Sequence, residues 1–122
     1  MDRINLNEKL ALIREPWSPK IVGELNGQFV KLAKFENEYV WHAHAAEDEL
    51  FYVLSGKLDL ELRGRTIRLA PGEFFIVPRG VEHRPVARPR AEVLLFEPAS
   101  TLNTGSAPPN QWTRRPEELE RI

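Results

Sequence analysis

Residues 57–63 read Lys57-Leu58-Asp59-Leu60-Glu61-Leu62-Arg63, a strict alternation of charge and leucine. Only an extended strand places every second side chain on one face, so the leucines face a core while the charged residues stay in water. Outward from this strand, in both directions, the chain breaks into similar short runs: Ile21–Leu25, Phe29–Glu36, Tyr39–His44, Leu50–Leu54, Thr66–Ala70, Glu73–Val77 and Glu92–Glu97. Turn chemistry joins them, at Asn26-Gly27, Ser55-Gly56, Arg63-Gly64, Pro71-Gly72 and Pro78-Arg79-Gly80. No gap between the runs is long enough for a crossover helix, so the strands pair antiparallel. Eight short strands at fairly even spacing predict an all-β protein, a barrel or jelly roll.

The ends read differently. Leu6–Ile13 is a short helix, capped by Asn5 or Asn7 and closed by Pro16, too short to stand without docking. From Ser100 the chain turns polar, with Pro108-Pro109 and a possible helical turn opened by Pro116, which reads as an irregular, partly mobile tail. The expected organisation is an N-terminal extension (1–20), a barrel (21–99) and a C-terminal tail (100–122). With 17 Lys+Arg against 18 Asp+Glu there is no basic excess for nucleic acid. No apolar run approaches a membrane span, and no secretion signal opens the chain, so a cytoplasmic location is expected. The absence of cysteine excludes disulfides, thiolate catalysis and thiolate metal sites, leaving nitrogen and oxygen as donors.

Those donors are few and well spaced. The three histidines are His42, His44 and His83, and Glu49 opens the apolar run after the first two. At i and i+2 on a strand, His42 and His44 point the same way; a carboxylate from the next strand and a distant imidazole complete a chelating set. Glu47 and Asp48 compete with Glu49 as donors, and alternation separates them in part. With Glu49 inward, Phe51 and Val53 line the site while Asp48 points out and Leu50, Tyr52 and Leu54 form an apolar stripe on the other face. Val40, Phe51, Val53, Phe75, Val77 and Pro85 are the candidates for a dry pocket. Arg79 and Arg84 lie near His83 in sequence and are candidates for holding an anion at its mouth. Trp41 faces away from the site and is read as packing between sheets or subunits.

The same residues resemble the cupin superfamily. Its first motif is matched in the segment WHAHAAEDELFYVLSG by His42, His44, Glu49 and Gly56, and its second in PGEFFIVPRGVEH by Gly72, Pro78, Gly80 and His83. Glu36 and Ala87 stand where the family pattern has Gly and Asn, and neither position ligates metal in the family. The resemblance implies a double-stranded β-helix, or jelly-roll barrel, around one divalent transition metal held by His42, His44, Glu49 and His83. Three imidazoles and a carboxylate suit Fe, Mn, Ni, Co or Zn. On a six-coordinate ion, two positions stay open for water, substrate or O₂. The resemblance further implies a small-molecule substrate or ligand and dioxygenase, isomerase or lyase chemistry, with a non-catalytic sensing module as the alternative. The nearest likeness is to stand-alone cupins of the mannose-6-phosphate-isomerase-like type. A homodimer is expected, its interface formed by the Leu50, Tyr52, Leu54 stripe and by Ile21–Glu36 crossing to the partner.

Overall fold

A computed structural model describes residues 2–122. Its elements in chain order are α1 (Leu6–Leu10), β1 (Lys20–Leu25), β2 (Gln28–Glu38), β3 (Glu49–Leu62), β4 (Arg65–Leu69), β5 (Phe74–Val77), β6 (His83–Pro98) and a single 3-10 turn, η1 (Pro116–Glu118). All strand pairs are antiparallel, in the order β1-β2-β6-β3-β4 with β5 also on β3. The fold is the expected all-β jelly roll, with β3 and β6 running side by side through its centre.

The helix is a single turn, capped by the Asn5 side chain accepting from the Glu8 amide, and it stops at Leu10 because nothing but its docked face holds so short a segment. Two of the predicted strands, Leu50–Leu54 and Lys57–Arg63, are halves of β3. The pairing register slips between Val53 and Leu58, so inward residues are odd-numbered before the irregularity (Phe51, Val53) and even-numbered after it (Leu58, Leu60). Gly56 makes that crossing possible: its φ is +78°, and a Cβ there would collide with the Arg90 carbonyl oxygen. Tyr39–His44, predicted as a strand, is instead an extended connection that meets β6 at two places: the Tyr39 N–H donates to the Pro85 carbonyl at 2.9 Å, and His42 and His83 exchange two backbone hydrogen bonds of 3.0 and 2.9 Å.

Inside the barrel, Leu58, Leu60, Leu69, Val53, Val77 and Val93 form a dry core. At the other end Trp17 stacks on Phe35 and Tyr39, with centroids 4.4 Å from each, and Trp112 of the tail lies 5.3 Å from Tyr39. The tail is irregular but packed, in place of the expected partial mobility. Thr101 and Thr104 are buried, Ser106 exchanges hydrogen bonds with Ala43, and Ile122 bonds the Ile21 carbonyl.

The outer apolar stripe is covered in part by the chain itself. Leu54 and Leu94 pack with Leu10, Ile13 and Leu32, so the N-terminal segment does some of the work expected of a second subunit. Likewise Ile21–Glu36 pairs within its own sheet as β1 and β2. Phe74 and Ile76, opposite Tyr52 and Leu50, remain 56% and 49% exposed. Among the described residues, no helix is long and apolar enough to cross a membrane.

Candidate metal centre

Three pieces of chain meet at one end of the barrel. Glu49 is the first residue of β3, His83 the first of β6, and the connection from β2 lays His42 beside His83. The Pro78-Arg79-Gly80 corner is clipped to its neighbours: Gly80 N–H donates to the His44 carbonyl at 2.8 Å and Arg79 N–H to Asp48 Oδ1 at 2.8 Å. Asp48 thus faces outward and holds a turn, while Glu47 accepts from Ser100. Glu49 alone of the acidic run joins the cluster; alternation predicts the outward Asp48 but not the place of Glu47, which shares the parity of Glu49.

The side chains of His42, His44, Glu49 and His83 are all buried, and one ligand atom from each lies within 4.8 Å of all the others. The Nδ1 atoms of His42 and His83 lie 2.9 Å from the carbonyls of Val40 and Val81. A carbonyl only accepts, so each Nδ1 carries the proton, and each Nε2 is left with its lone pair toward the centre. This is the arrangement by which a second contact orients a ligating imidazole. Glu49 Oε1 lies 3.2 Å from His83 Nε2 and 3.3 Å from His44 Nε2. Those separations match the about 3.0–3.4 Å edges that metal–donor bonds of about 2.1 Å produce. His44 Nε2 approaches Glu49 off line and has no hydrogen-bond partner although fully buried, a cost that a cation at the centre would remove. The donor set and its geometry fit a divalent transition metal.

Electrostatics agree. Burial, and then the neighbouring His83, push His42 down to about 4, so its imidazole stays neutral and ready to ligate. Burial works to raise Glu49, yet the His44 and His83 imidazoles and Glu97 beside it hold it well below the usual carboxylate range. Tyr39 is raised by burial and by the Glu49 charge, which keeps its phenol neutral.

The adjoining cavity departs from the predicted pocket. A narrow slot of only about 30 Å³ opens beside the cluster, lined by aromatic residues and by Glu97 and Asn103. Of the six predicted lining residues only Phe51 and Pro85 reach it; Val53 and Val77 belong to the core, and Val40 and Phe75 pack against that core. Arg79 and Arg84 do not line it, being paired with Asp48 and with Glu38 and Glu61. Trp41 lies beneath Arg63 and Arg84, its ring centroid 3.8 and 5.6 Å from their guanidinium carbons, rather than between sheets.

Sequence reasoning missed Glu97 and its partner Lys31. The alternation that turns Val93 and Leu95 inward also turns Glu97 inward, so parity carried the signal. Lys31 sits between Phe29 and Ala33 on the inward face of β2, where a lysine is read as surface by habit.

Comparisons with known proteins fall on this same region. Residues 28–97 match the Cupin domain family. The uncharacterized Bacillus subtilis protein YdbB is 36% identical over 73 residues, 59% of this chain and 65% of YdbB. An uncharacterized transcriptional regulator of the helix-turn-helix type, YobQ of B. subtilis, is 34% identical over 59 residues, 48% of this chain. The chain therefore spans 65% and 24% of the lengths of these two relatives. Among solved structures, a cupin-2 domain protein from Shewanella frigidimarina superposes with a TM-score of 0.77 at 42% identity, covering 78% of this chain and 93% of that one.

Proposed function

The chain belongs to the cupin family, and from that premise we propose that it is a metal-dependent enzyme acting on a small molecule, with the metal held by His42, His44, Glu49 and His83. The observation that carries this reading is the buried meeting of four ligand atoms within 4.8 Å of one another, with the Nδ1 atoms of His42 and His83 held on carbonyls and the Nε2 of His44 unpartnered. A bound divalent ion in such a set supplies Lewis acidity and open coordination positions for a ligand oxygen.

The chain's own residues supply the rest. Glu49 offsets part of the ion's charge, and the Val40 and Val81 carbonyls hold the His42 and His83 rings in one tautomer. Phe35, Phe51 and Leu95 keep water from the flank of the site, and Tyr39 stays a phenol rather than a phenolate. A slot so narrow and aromatic suits a slim or flat substrate. Dioxygenase, isomerase and lyase reactions all fit these parts. A second reading, ligand sensing without catalysis, is favoured by the likeness to a segment of a transcriptional regulator; a ligand that binds with metal present and is recovered unchanged would support it.

We also infer a homodimer that buries Phe74 and Ile76 across the β5 face, since this apolar area is left open by the chain's own covering segments.

Elemental analysis of tag-free protein, purified without chelator, tests the main reading. Near-stoichiometric metal in the wild type that is lost in His83→Ala is the expected result. A wild type that stays metal-free after anaerobic loading with Fe, Mn, Co, Ni and Zn contradicts it.

A further inference from the structure

The four clustered side chains are shut away from anything larger than water. His42, His44, Glu49 and His83 are all buried, and the adjoining slot of about 30 Å³ has room for about one water molecule. Even a slim substrate needs more, so part of the enclosure has to give. Most of that enclosure is strand ladder, or chain bonded to it. Trp17, which also lines the slot, is fixed through backbone and ring: its main-chain N–H donates to the Lys34 carbonyl at 2.8 Å and its indole N–H to the Glu36 carbonyl at 3.0 Å.

Asn103 is the exception among the lining residues. It closes residues 103–114 into a loop: its side chain donates to the Trp112 carbonyl at 2.7 Å and accepts from the Arg114 N–H at 2.9 Å, and the hydroxyls of Thr104 and Thr113 lie 3.0 Å apart. A loop whose ends meet and whose polar groups bond within it holds its shape as one body. Among the described residues, its hydrogen bonds to the barrel are the two that Ser106 exchanges with Ala43. Ser106 N–H donates to the Ala43 carbonyl at 2.9 Å, and Ala43 N–H to Ser106 Oγ at 3.0 Å. Ala43 is the residue between His42 and His44. Beside this latch, Gly105 lies so close that a Cβ on it would stand 3.1 Å from Cδ2 of the His42 ring. Trp112 rests on Trp17 and Tyr39, with centroids 6.2 and 5.3 Å away.

Resting on the metal-centre reading, we propose that residues 103–114 form a lid over that centre, latched by Ser106 to the Ala43 backbone and opening as a unit to admit ion and substrate. The lid covers the His42 side of the cluster and seals the aromatic mouth of the slot. Its latch grips the backbone between two ligands and no ligand side chain, so breaking it uncovers the cluster and leaves the four donors in place. A lid of this kind sets how fast an ion enters and how fast it leaves, in equal proportion, and leaves the affinity as it was.

Two measurements on the full chain test this. The first is hydrogen exchange of the metal-free wild type, followed by NMR. The Ser106 and Ala43 amides should share one protection factor, at least about 10-fold below that of the His42 and His83 amides that bond each other, because a lid opens without the barrel. Exchange of Ser106 and Ala43 only in step with those barrel amides would overturn the lid, whether or not metal binds. The second is the rate of Co²⁺ uptake and of its extraction by excess chelator, timed by the cobalt absorption. Ser106→Ala, which deletes one of the two latch bonds, should speed both by about 3–10-fold, the worth of a hydrogen bond, with Kd within about 2-fold of wild type. The double variant Ser106→Ala/Trp112→Ala should speed both further. Unchanged rates in both variants, or weaker binding without faster uptake, would overturn the lid and leave the metal centre standing. A wild type that takes up no Co²⁺ would overturn the metal-centre reading, and the exchange data would still decide whether the loop opens over the slot.

Discussion

The two halves of β3 share one strand and one depth of burial, yet they contribute different things. After the irregularity at Ser55-Gly56, Leu58 and Leu60 are wholly enclosed among apolar neighbours, where loss of contact with water is itself the stabilising effect. Before it, Glu49 is 5% exposed, facing imidazoles instead of leucines. Enclosing so many polar groups is unfavourable unless each is paired, and one nitrogen, His44 Nε2, is not. The strand's leucine half is complete without any further component; its glutamate half leaves a buried nitrogen unpaired, which a cation would satisfy. Burial alone does not separate a core from a site, and the pairing of polar atoms does.

This contrast predicts a double dissociation, which is the largest effect. Leu60→Ala should cost about 2–5 kcal/mol in chemical denaturation while leaving metal affinity within about 3-fold. His83→Ala should weaken metal binding by more than about 100-fold, beyond what the loss of an orienting contact costs. Loss of metal binding in a folded Leu60→Ala protein would erase the distinction between the two halves.

A sharper probe is the pH dependence of the metal-free protein. His42 titrates near 6.5 when unfolded and about 4 when folded, so the unfolded chain binds more protons between those values and stability from this residue is lost as pH falls through that window. Glu97, raised by burial and by the Glu49 charge despite Lys31, acts in the opposite direction, so the informative quantity is a difference between proteins that both contain it. The stability of wild type relative to His42→Gln should shrink by about 3 kcal/mol between pH 7 and pH 4, followed by urea unfolding. A constant difference would show that His42 is not held neutral by its surroundings.

Two smaller effects lie outside β3. Phe74→Glu should shift the protein toward monomer in sedimentation velocity without changing metal affinity, and an unchanged dimer would move the interface elsewhere. Arg68→Ala, on the exposed face of β4 across from Asp59, should alter stability by no more than about 0.5 kcal/mol and leave metal binding alone.

Much of this was legible in the sequence, for reasons that local physics supplies. Alternation in 57–63 fixes a strand and its inward leucines, and the i, i+2 spacing of His42 and His44 sends both rings to one side whether the backbone is a paired strand or, as here, an extended connection. Alternation also separates Glu49 from Asp48. What escaped depends on contacts distant in sequence. The merger of two predicted strands into β3 rests on Gly56 passing Arg90, which no local pattern announces. The burial of the tail rests on Ser106 meeting Ala43 and Trp112 meeting Tyr39, pairings made by the barrel's closure. Glu97 was within reach of parity, but a charged residue gains an interior role only when its partner, Lys31 on a strand far away in the chain, is known.

Titration of the metal-free protein with Co²⁺, followed by ¹H NMR, bears most directly on the central claim. Coordination through Nε2 leaves the Nδ1–H groups of His42 and His83 on their carbonyls, close to a paramagnetic ion and slow to exchange with solvent. Saturation at one Co²⁺ per chain is predicted, with strongly shifted ring N–H resonances of which one is lost in His42→Ala and another in His83→Ala. A spectrum that passes one equivalent without shifted ring protons would contradict the account.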